Sequence, residues 1–271
     1  MEIDGRGVEY FDEGQGEPII LIHGWLVAKE IFLLLTWGLL AANFRVIAPD
    51  MPGFGNSEEL SVPHSPENYA IFLGKFAEKL GLAKFNLFGC SMGGTIALAF
   101  AIRNKEKIRK LVVQAPFFYG RQTWFDRKAR LLVSLAERSK TVRELAYRMA
   151  WNQYQSRKED IFGSIPNKYH PAISRIIESC EYEFKNTMSK KAAEEIGKYT
   201  TEIDFRPLLK GLDTETLIII GEKDRVIKLK DMRLLNRLLP NSRLWIAPEA
   251  THYALVEIPD KFCQAVVDFL K

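Results

Sequence analysis

Phe85-Asn-Leu-Phe-Gly-Cys-Ser-Met-Gly-Gly94 decides the fold. It reads as a buried strand that runs into a sharp turn and then directly into the apolar helix Thr95-Ile-Ala-Leu-Ala-Phe-Ala-Ile-Arg103. Ser91 occupies the corner. A serine that exposes its hydroxyl on such a turn takes a strained backbone conformation, and side chains two residues to either side collide unless both are glycine. Gly89 and Gly93 meet that requirement. The helix begins at the serine, so its N-terminal amides and positive dipole end face whatever Ser91 attacks. Cys90 does not fit the same frame, which would need glycines where Phe88 and Met92 stand. A Gly-x-Ser-x-Gly match is equally compatible with an inert turn, so the rest of the chain has to decide.

Outward from the elbow, Ile19–Ile22 is apolar on consecutive residues, and Phe44–Asp50, Leu111–Pro116, Thr216–Asp224 and Ser242–Ala247 read as further core strands. Strands of a parallel sheet buried on both faces have that pattern. Helical spacing falls between them, over Ile31–Leu40, Ser65–Gly81, the elbow helix to about Lys110, Met232–Leu239 and Asp260–Lys271. Met1–Asp4 and Val8–Glu13, on either side of Gly5-Arg-Gly7, read as a small antiparallel hairpin. The pattern implies an α/β fold with a mostly parallel central sheet flanked by helices. About a hundred residues separate the strand near Leu111 from the next one, far beyond an ordinary connection. That stretch carries helical patterns at Val142, Leu145, Ala146, Met149 and Ala150, and at Ile173, Ile176, Ile177 and Cys180. The expected organisation is therefore a core over residues 1–116, a helical cap inserted at 117–212, and a second part of the core over 213–271.

Composition excludes several classes. A net charge of +4 over 271 residues is too mild for a nucleic-acid binder. Cys90, Cys180 and Cys263 are scattered without metal-ligand or disulfide spacing, as expected in a reducing compartment. The N-terminus lacks a signal-peptide profile, and the run Ile31–Ala42 is shorter than the roughly 20 residues a membrane span needs. A cytoplasmic protein with no membrane span is expected. Gly53-Phe-Gly55 lacks the third glycine of a dinucleotide fingerprint, Glu58 standing in its place, and no metal or other cofactor is expected.

A serine hydroxyl needs a base, and the base needs an orienting carboxylate. Among four histidines, His252 lies just after a core strand; His170 falls in the insertion and is second by position, while His23 and His64 sit at a strand end and in a proline-flanked loop. Asp224 closes an apolar strand at the carboxyl edge of the sheet, where open α/β sheets bind ligands and where Ser91 emerges. Glu222 competes as a turn charge, and Asp50 belongs to a Pro-Gly-Phe-Gly turn whose amides it can bond. Ser91, Asp224 and His252 follow one another in the chain order of α/β-hydrolases. The chain resembles that superfamily across its core, through His23-Gly-Trp25, Asp50-Met-Pro-Gly-Phe-Gly-Asn-Ser57, Gly89-Cys-Ser-Met-Gly-Gly94, Gly221-Glu-Lys-Asp224 and His252.

The resemblance implies a Ser91-His252-Asp224 hydrolase whose oxyanion hole uses the amides of Trp25 and Met92, with His23 structural. Thr251 departs from the glycine usual before the histidine. Haloalkane dehalogenases and epoxide hydrolases resemble the scaffold but carry aspartate at the elbow, so Ser91 implies acyl transfer. Trp25, Phe117, Phe118, Tyr119, Trp124 and Tyr253 are candidates for an apolar substrate wall. The expected activity is cleavage of a small-molecule carboxylic ester with an apolar portion. Lactone, amide or carbon-carbon bond hydrolysis, acyl transfer, and a slow-turnover small-molecule receptor are the alternatives on the same residues. Residues 121–158 hold ten Lys or Arg against three acidic residues, a solvated helix surface or a steering field. Pimeloyl-acyl-carrier-protein methyl esterases are similar in the His-Gly-Trp and Pro-Gly-Phe-Gly segments, and the resemblance implies an acidic carrier protein as a partner for such a basic cap.

Overall fold

The structure, a computed structural model, describes residues 1–120, 165–187 and 189–271. Its strands are β1 (Glu2–Ile3), β2 (Arg6–Gly7), β3 (Tyr10–Glu13), β4 (Glu17–Ile22), β5 (Phe44–Pro49), β6 (Phe85–Cys90), β7 (Ile108–Gln114), β8 (Thr216–Gly221) and β9 (Ser242–Ala247). The described helices are α1 (Leu33–Ala41), α2 (Pro66–Lys79), α3 (Met92–Arg103), α4 (His170–Tyr182), α5 (Lys190–Glu202), α6 (Arg206–Leu209), α7 (Leu229–Leu238), α8 (Ala254–Glu257) and α9 (Pro259–Leu270).

Seven strands form one sheet in the order β3-β5-β4-β6-β7-β8-β9, parallel throughout except for β3. Alternate residues of a strand face opposite sides, and here both sides are buried. Ile20, Ile22, Leu87, Val113 and Ile218 pack under α2, α3 and α7. Ile19, Leu21, Phe88, Val112 and Ile219 pack under α1, α9 and α4. Each fully buried aliphatic side chain stabilises the fold by about 1.5–3 kcal/mol relative to exposure, which explains why these strands are apolar on successive residues. After β4 the chain crosses to β5 on one side and returns to β6 on the other. The crevice beyond the carboxyl ends of β4 and β6 is thus the topological switch point, the place where such sheets bind ligands.

Several boundaries differ from expectation. The N-terminal hairpin turns at Asp4-Gly5, both at positive φ (51° and 72°), and uses only β1 and β2. Such a tight turn needs left-handed backbone, which Asp and Gly tolerate. Tyr10–Glu13 is thereby released to pair antiparallel with β5. Helix α3 ends at Arg103, because the Asn104 side chain takes the Phe100 carbonyl at 3.1 Å, and β7 starts at Ile108. Helix α2 keeps its expected limits: the Ser65 hydroxyl caps it by accepting from Asn68 N at 3.1 Å, and Gly81 follows at φ +70°.

The excursion between β7 and β8 is pinched at its neck. Gly120 N donates to Ile203 O at 2.6 Å, Phe205 N to Phe118 O at 2.9 Å, and Tyr119 bridges Asp204. Its described helices dock on the loop after β5. Gly55 N donates to a Glu183 carboxylate oxygen at 2.8 Å, Ser189 N to Gly53 O at 2.8 Å, and His64 N to a Glu195 oxygen at 2.7 Å. Helix α4 buries Ile173, Ile176, Ile177 and Cys180 as its spacing predicts. The pattern at Val142–Ala150, Trp124 and the basic run at 121–158 lie outside the described residues.

Candidate active site

Ser91 stands between β6 and α3 at φ 52°, ψ −112°, a region costing a non-glycine residue about 1–3 kcal/mol. Its neighbours must be glycine for measurable reasons. A Cβ on Gly89 would lie 2.2 Å from the Gly93 carbonyl oxygen, and one on Gly93 would lie 2.1 Å from that of Ile22. Cys90, buried beside the serine, has its thiol pushed up to about 12 by burial, so it carries no thiolate at neutral pH.

The structure brings Ser91, His252 and Asp224 together. Ser91 Oγ lies 3.1 Å from His252 Nε2, and His252 Nδ1 lies 2.8 Å from Asp224 Oδ2. Asp224 follows β8, and its carboxylate is 1 % exposed. Its second oxygen, Oδ1, accepts the amides of Val226 (2.8 Å) and Ile227 (2.9 Å). Those two bonds fix the carboxylate plane, leaving Oδ2 for the imidazole. Glu222, the competing carboxylate, instead accepts the Glu249 amide at 3.0 Å. Of the remaining histidines, His170 bonds the Ile165 carbonyl at 3.1 Å and His64 the Tyr69 hydroxyl at 2.8 Å.

His23 acts on the backbone. Its Nε2 accepts the Met51 amide at 2.8 Å, so the ring proton sits on Nδ1 and is donated to Gly24 O at 2.8 Å. The peptide is planar and trans, so fixing the Gly24 carbonyl aims the Trp25 N–H the opposite way. Gly24 packs against the nucleophile, a Cβ there lying 3.6 Å from Ser91 Cβ. Met92 opens α3, where the first amides have no partner within the helix. Met92 thus adjoins Ser91 along the chain, and Gly24, the residue before Trp25, adjoins it in space. Burial pulls the His23 imidazole below its ordinary 6.5, outweighing the opposing charge of Asp50, and the folded protein holds it neutral. The unfolded chain takes up that proton as pH falls through 6.5. The stabilisation is therefore complete above 6.5 and declines below it, by about 1.4 kcal/mol per pH unit until the depressed folded value is reached. The midpoint of thermal unfolding is expected to drop between pH 7.5 and 5.5 in scanning calorimetry, less so in His23→Gln; identical slopes in the two proteins would refute the assignment.

Three supports were not legible in the sequence. Asp50 bonds the turn as expected, accepting Asn56 N at 3.0 Å, but it also accepts Lys29 N (3.0 Å) and Lys29 Nζ (2.8 Å). This ties the loop after Trp25 to the end of β5. Thr251, unusual before the histidine, gives both its amide and hydroxyl to Glu257, each at 2.6 Å, and so clamps the His252 loop to α8. Gly221 lets that loop approach, since a Cβ there would lie 2.1 Å from Thr251 O.

The aromatic candidates divide. Trp25 is 43 % exposed, and Tyr253 meets the His252 ring edge-on at 5.9 Å. Phe118 is instead a core residue, 1 % exposed. Tyr119 gives its hydroxyl to Asp231 at 2.8 Å and lies beneath the Arg206 guanidinium at 4.8 Å. Both are used in closing the neck of the insertion. Phe117 is half-buried, with its amide and carbonyl both bonded to the Thr95 hydroxyl. Among the described residues no cluster of His, Cys, Asp and Glu could hold a metal ion, and no helix is long and apolar enough to cross a membrane.

Known proteins are similar to this chain along nearly its whole length. A 2-hydroxymuconate semialdehyde hydrolase of Pseudomonas putida is 27 % identical over 98 % of this chain and 91 % of its own. Haloalkane dehalogenase 2 of Mycobacterium tuberculosis is 26 % identical over 96 % and 90 %. A pimeloyl-[acyl-carrier protein] methyl ester esterase of Aeromonas hydrophila is 24 % identical over 95 % and 96 %. Among solved structures, a thermophilic esterase from Thermogutta terrifontis superposes with a TM-score of 0.76 at 24 % identity, covering 98 % of this chain and 93 % of that one. The sequence matches the alpha/beta hydrolase fold family over residues 17–259, and the chain belongs to that family as a hydrolase with its mostly parallel sheet and an insertion between β7 and β8.

Proposed function

We propose that this hydrolase cleaves carboxylic esters through an acyl-enzyme on Ser91. The observation that carries the reading is the continuous hydrogen-bonded series Ser91 Oγ, His252 Nε2, His252 Nδ1, Asp224 Oδ2, at 3.1 and 2.8 Å. His252 takes the hydroxyl proton as Oγ attacks the ester carbonyl carbon. The carbonyl oxygen becomes an oxyanion that accepts from the Trp25 and Met92 amides, each such donor being worth about 10²–10³ in rate. Collapse breaks the bond to the alkoxy group, which leaves as the alcohol with the proton from His252. Water, deprotonated by the same imidazole, then releases the acid and restores Ser91. Trp25 and Tyr253 fit an apolar wall, and residues 117–212 fit a roof that selects the acyl or alcohol group. The excess of positive charge at 121–158 suits an anionic substrate or an acidic carrier protein.

The identity with a 2-hydroxymuconate semialdehyde hydrolase supports a second reading, in which the same attack on a ketone breaks a carbon-carbon bond. Dehalogenation has no such support in the chemistry. Displacement of halide by Ser91 would leave an alkyl ether, which offers water no carbonyl to attack and traps the enzyme. A panel of p-nitrophenyl esters of increasing acyl length, run beside lactones, amides and dienol keto acids, tests the assignment. Ester turnover within the usual range of about 1–10³ s⁻¹ is expected. A clear preference for the keto acids would replace it with the second reading. Tight ligand binding with turnover below about 10⁻² s⁻¹ would indicate a receptor.

A further inference from the structure

We infer that Gln114 is a positioning residue for the reaction proposed above, on which this inference rests: one residue holds both the turn that carries the nucleophile and the loop that carries the base. Gln114 ends β7, the strand lying between β6, which leads to Ser91, and β8, which leads to Asp224. It interrupts the buried run Leu111-Val-Val-Gln-Ala115 and is itself 1 % exposed. Its main-chain carbonyl accepts the Ser91 amide at 2.8 Å. Its side-chain Nε2 donates to the main-chain carbonyl of His252 at 3.0 Å. A carbonyl only accepts, so the amide nitrogen must face it and the orientation of the side chain is fixed by its partner.

His252 lies in an irregular segment between β9 and α8, with no strand ladder to hold it. Successive residues of that segment are tied one by one. Ala250 O accepts the Lys223 amide at 2.8 Å, Thr251 is clamped by Glu257, and His252 O is held by Gln114. The first two ties come from the end of β8 and from α8. Of the three, the Gln114 bond alone reaches the strand that also anchors Ser91, so it sets the imidazole relative to the hydroxyl rather than relative to Asp224. A misplacement on the scale of an ångström at such a contact costs on the order of 10²-fold in rate. The other end of the same amide limits what the residue adds to stability. Gln114 Oε1 is buried with no partner among the described residues, so an apolar side chain of the same size removes one unbonded acceptor while losing the bond to His252 O, two effects that oppose each other.

Gln114→Met, close in size, and Gln114→Leu as a shorter second variant test this with p-nitrophenyl butyrate and a fluorophosphonate probe of serine reactivity. The expected result in at least one variant is a kcat lower by about 10- to 100-fold, with KM within about twofold. Fluorophosphonate labelling of Ser91 should slow in parallel, and Tm should change little. A structural role alone moves Tm down and leaves the kcat of the folded fraction intact; that result, or kcat within about threefold of the parent in both variants, overturns the inference. Ser91→Ala, run alongside, separates the two levels. Activity surviving in Ser91→Ala defeats the acyl-enzyme reading itself, whereas an inactive Ser91→Ala beside fully active Gln114→Met and Gln114→Leu defeats only the role of Gln114.

Discussion

Ser91→Ala is expected to lower kcat on p-nitrophenyl butyrate by something on the order of 10⁶-fold, leaving KM and the unfolding midpoint nearly unchanged. The size follows from losing the covalent route altogether: the imidazole and the oxyanion donors remain, but the atom they serve is gone. What is left is the residual catalysis of preorganised amides and binding, about 10³–10⁴ over water. Stability should hold, and could improve slightly, because the Ser91 side chain makes a single described hydrogen bond, to His252. Its main-chain contacts, N to Gln114 O at 2.8 Å and O to Thr95 N at 3.1 Å, survive the substitution. The strain at φ 52° stays as well. Burst kinetics provide the second measurement: the parent should release p-nitrophenol in a fast phase equal to the enzyme concentration when deacylation is slow, and the variant should show none. An alanine variant that keeps even a tenth of the parent rate would remove Ser91 from the chemistry.

The parts of this molecule that are legible in the sequence are those where a single stretch obeys a strong constraint. Ile19–Ile22 must be a buried strand because four consecutive apolar residues have no solvated face to offer, and all four are fully buried. The elbow is legible because Gly89 and Gly93 are required by carbonyl oxygens just over 2 Å from where a Cβ would sit. Asp224 and His252 could be selected by elimination and by their places at strand ends. Less legible is anything decided by how separate segments meet. Helix α5 has an apolar stripe at helical spacing but a thin one, Ala192, Ala193 and Ile196 with Tyr199, and small residues in a mostly polar helix do not tell which face of the core they meet. Phe117, Phe118 and Tyr119 read as one aromatic cluster leaving a strand. Which of them enters the core depends on the partner at Phe205 and on Asp231, residues far along the chain. Gln114 and Glu257 belong to the same class, since their meaning lies in the loop around His252.

Asp224→Asn is expected to reduce kcat about 10⁴-fold with the fold intact, and the geometry around the carboxylate says why so small a change does so much. Oδ1 accepts two main-chain amides, from Val226 at 2.8 Å and Ile227 at 2.9 Å. An NH₂ group cannot accept, so the asparagine must present its carbonyl oxygen to those amides and turn its NH₂ toward His252 Nδ1, 2.8 Å away in the parent. The imidazole then meets a donor and is forced into the tautomer with the proton on Nε2. That nitrogen faces Ser91 Oγ at 3.1 Å, and once protonated it has no lone pair with which to take the serine proton. KM should change little, because no substrate contact is altered, and fluorophosphonate labelling of Ser91 should slow along with kcat. Asp224→Ala serves as the contrast. It also empties the turn that Oδ1 holds together, so it should lower Tm as well as kcat, whereas Asp224→Asn should lower kcat alone. If Asp224→Asn instead retained more than about a tenth of parental kcat, another group would have to orient His252, and the Thr251–Glu257 clamp and Gln114 would be the first places to look.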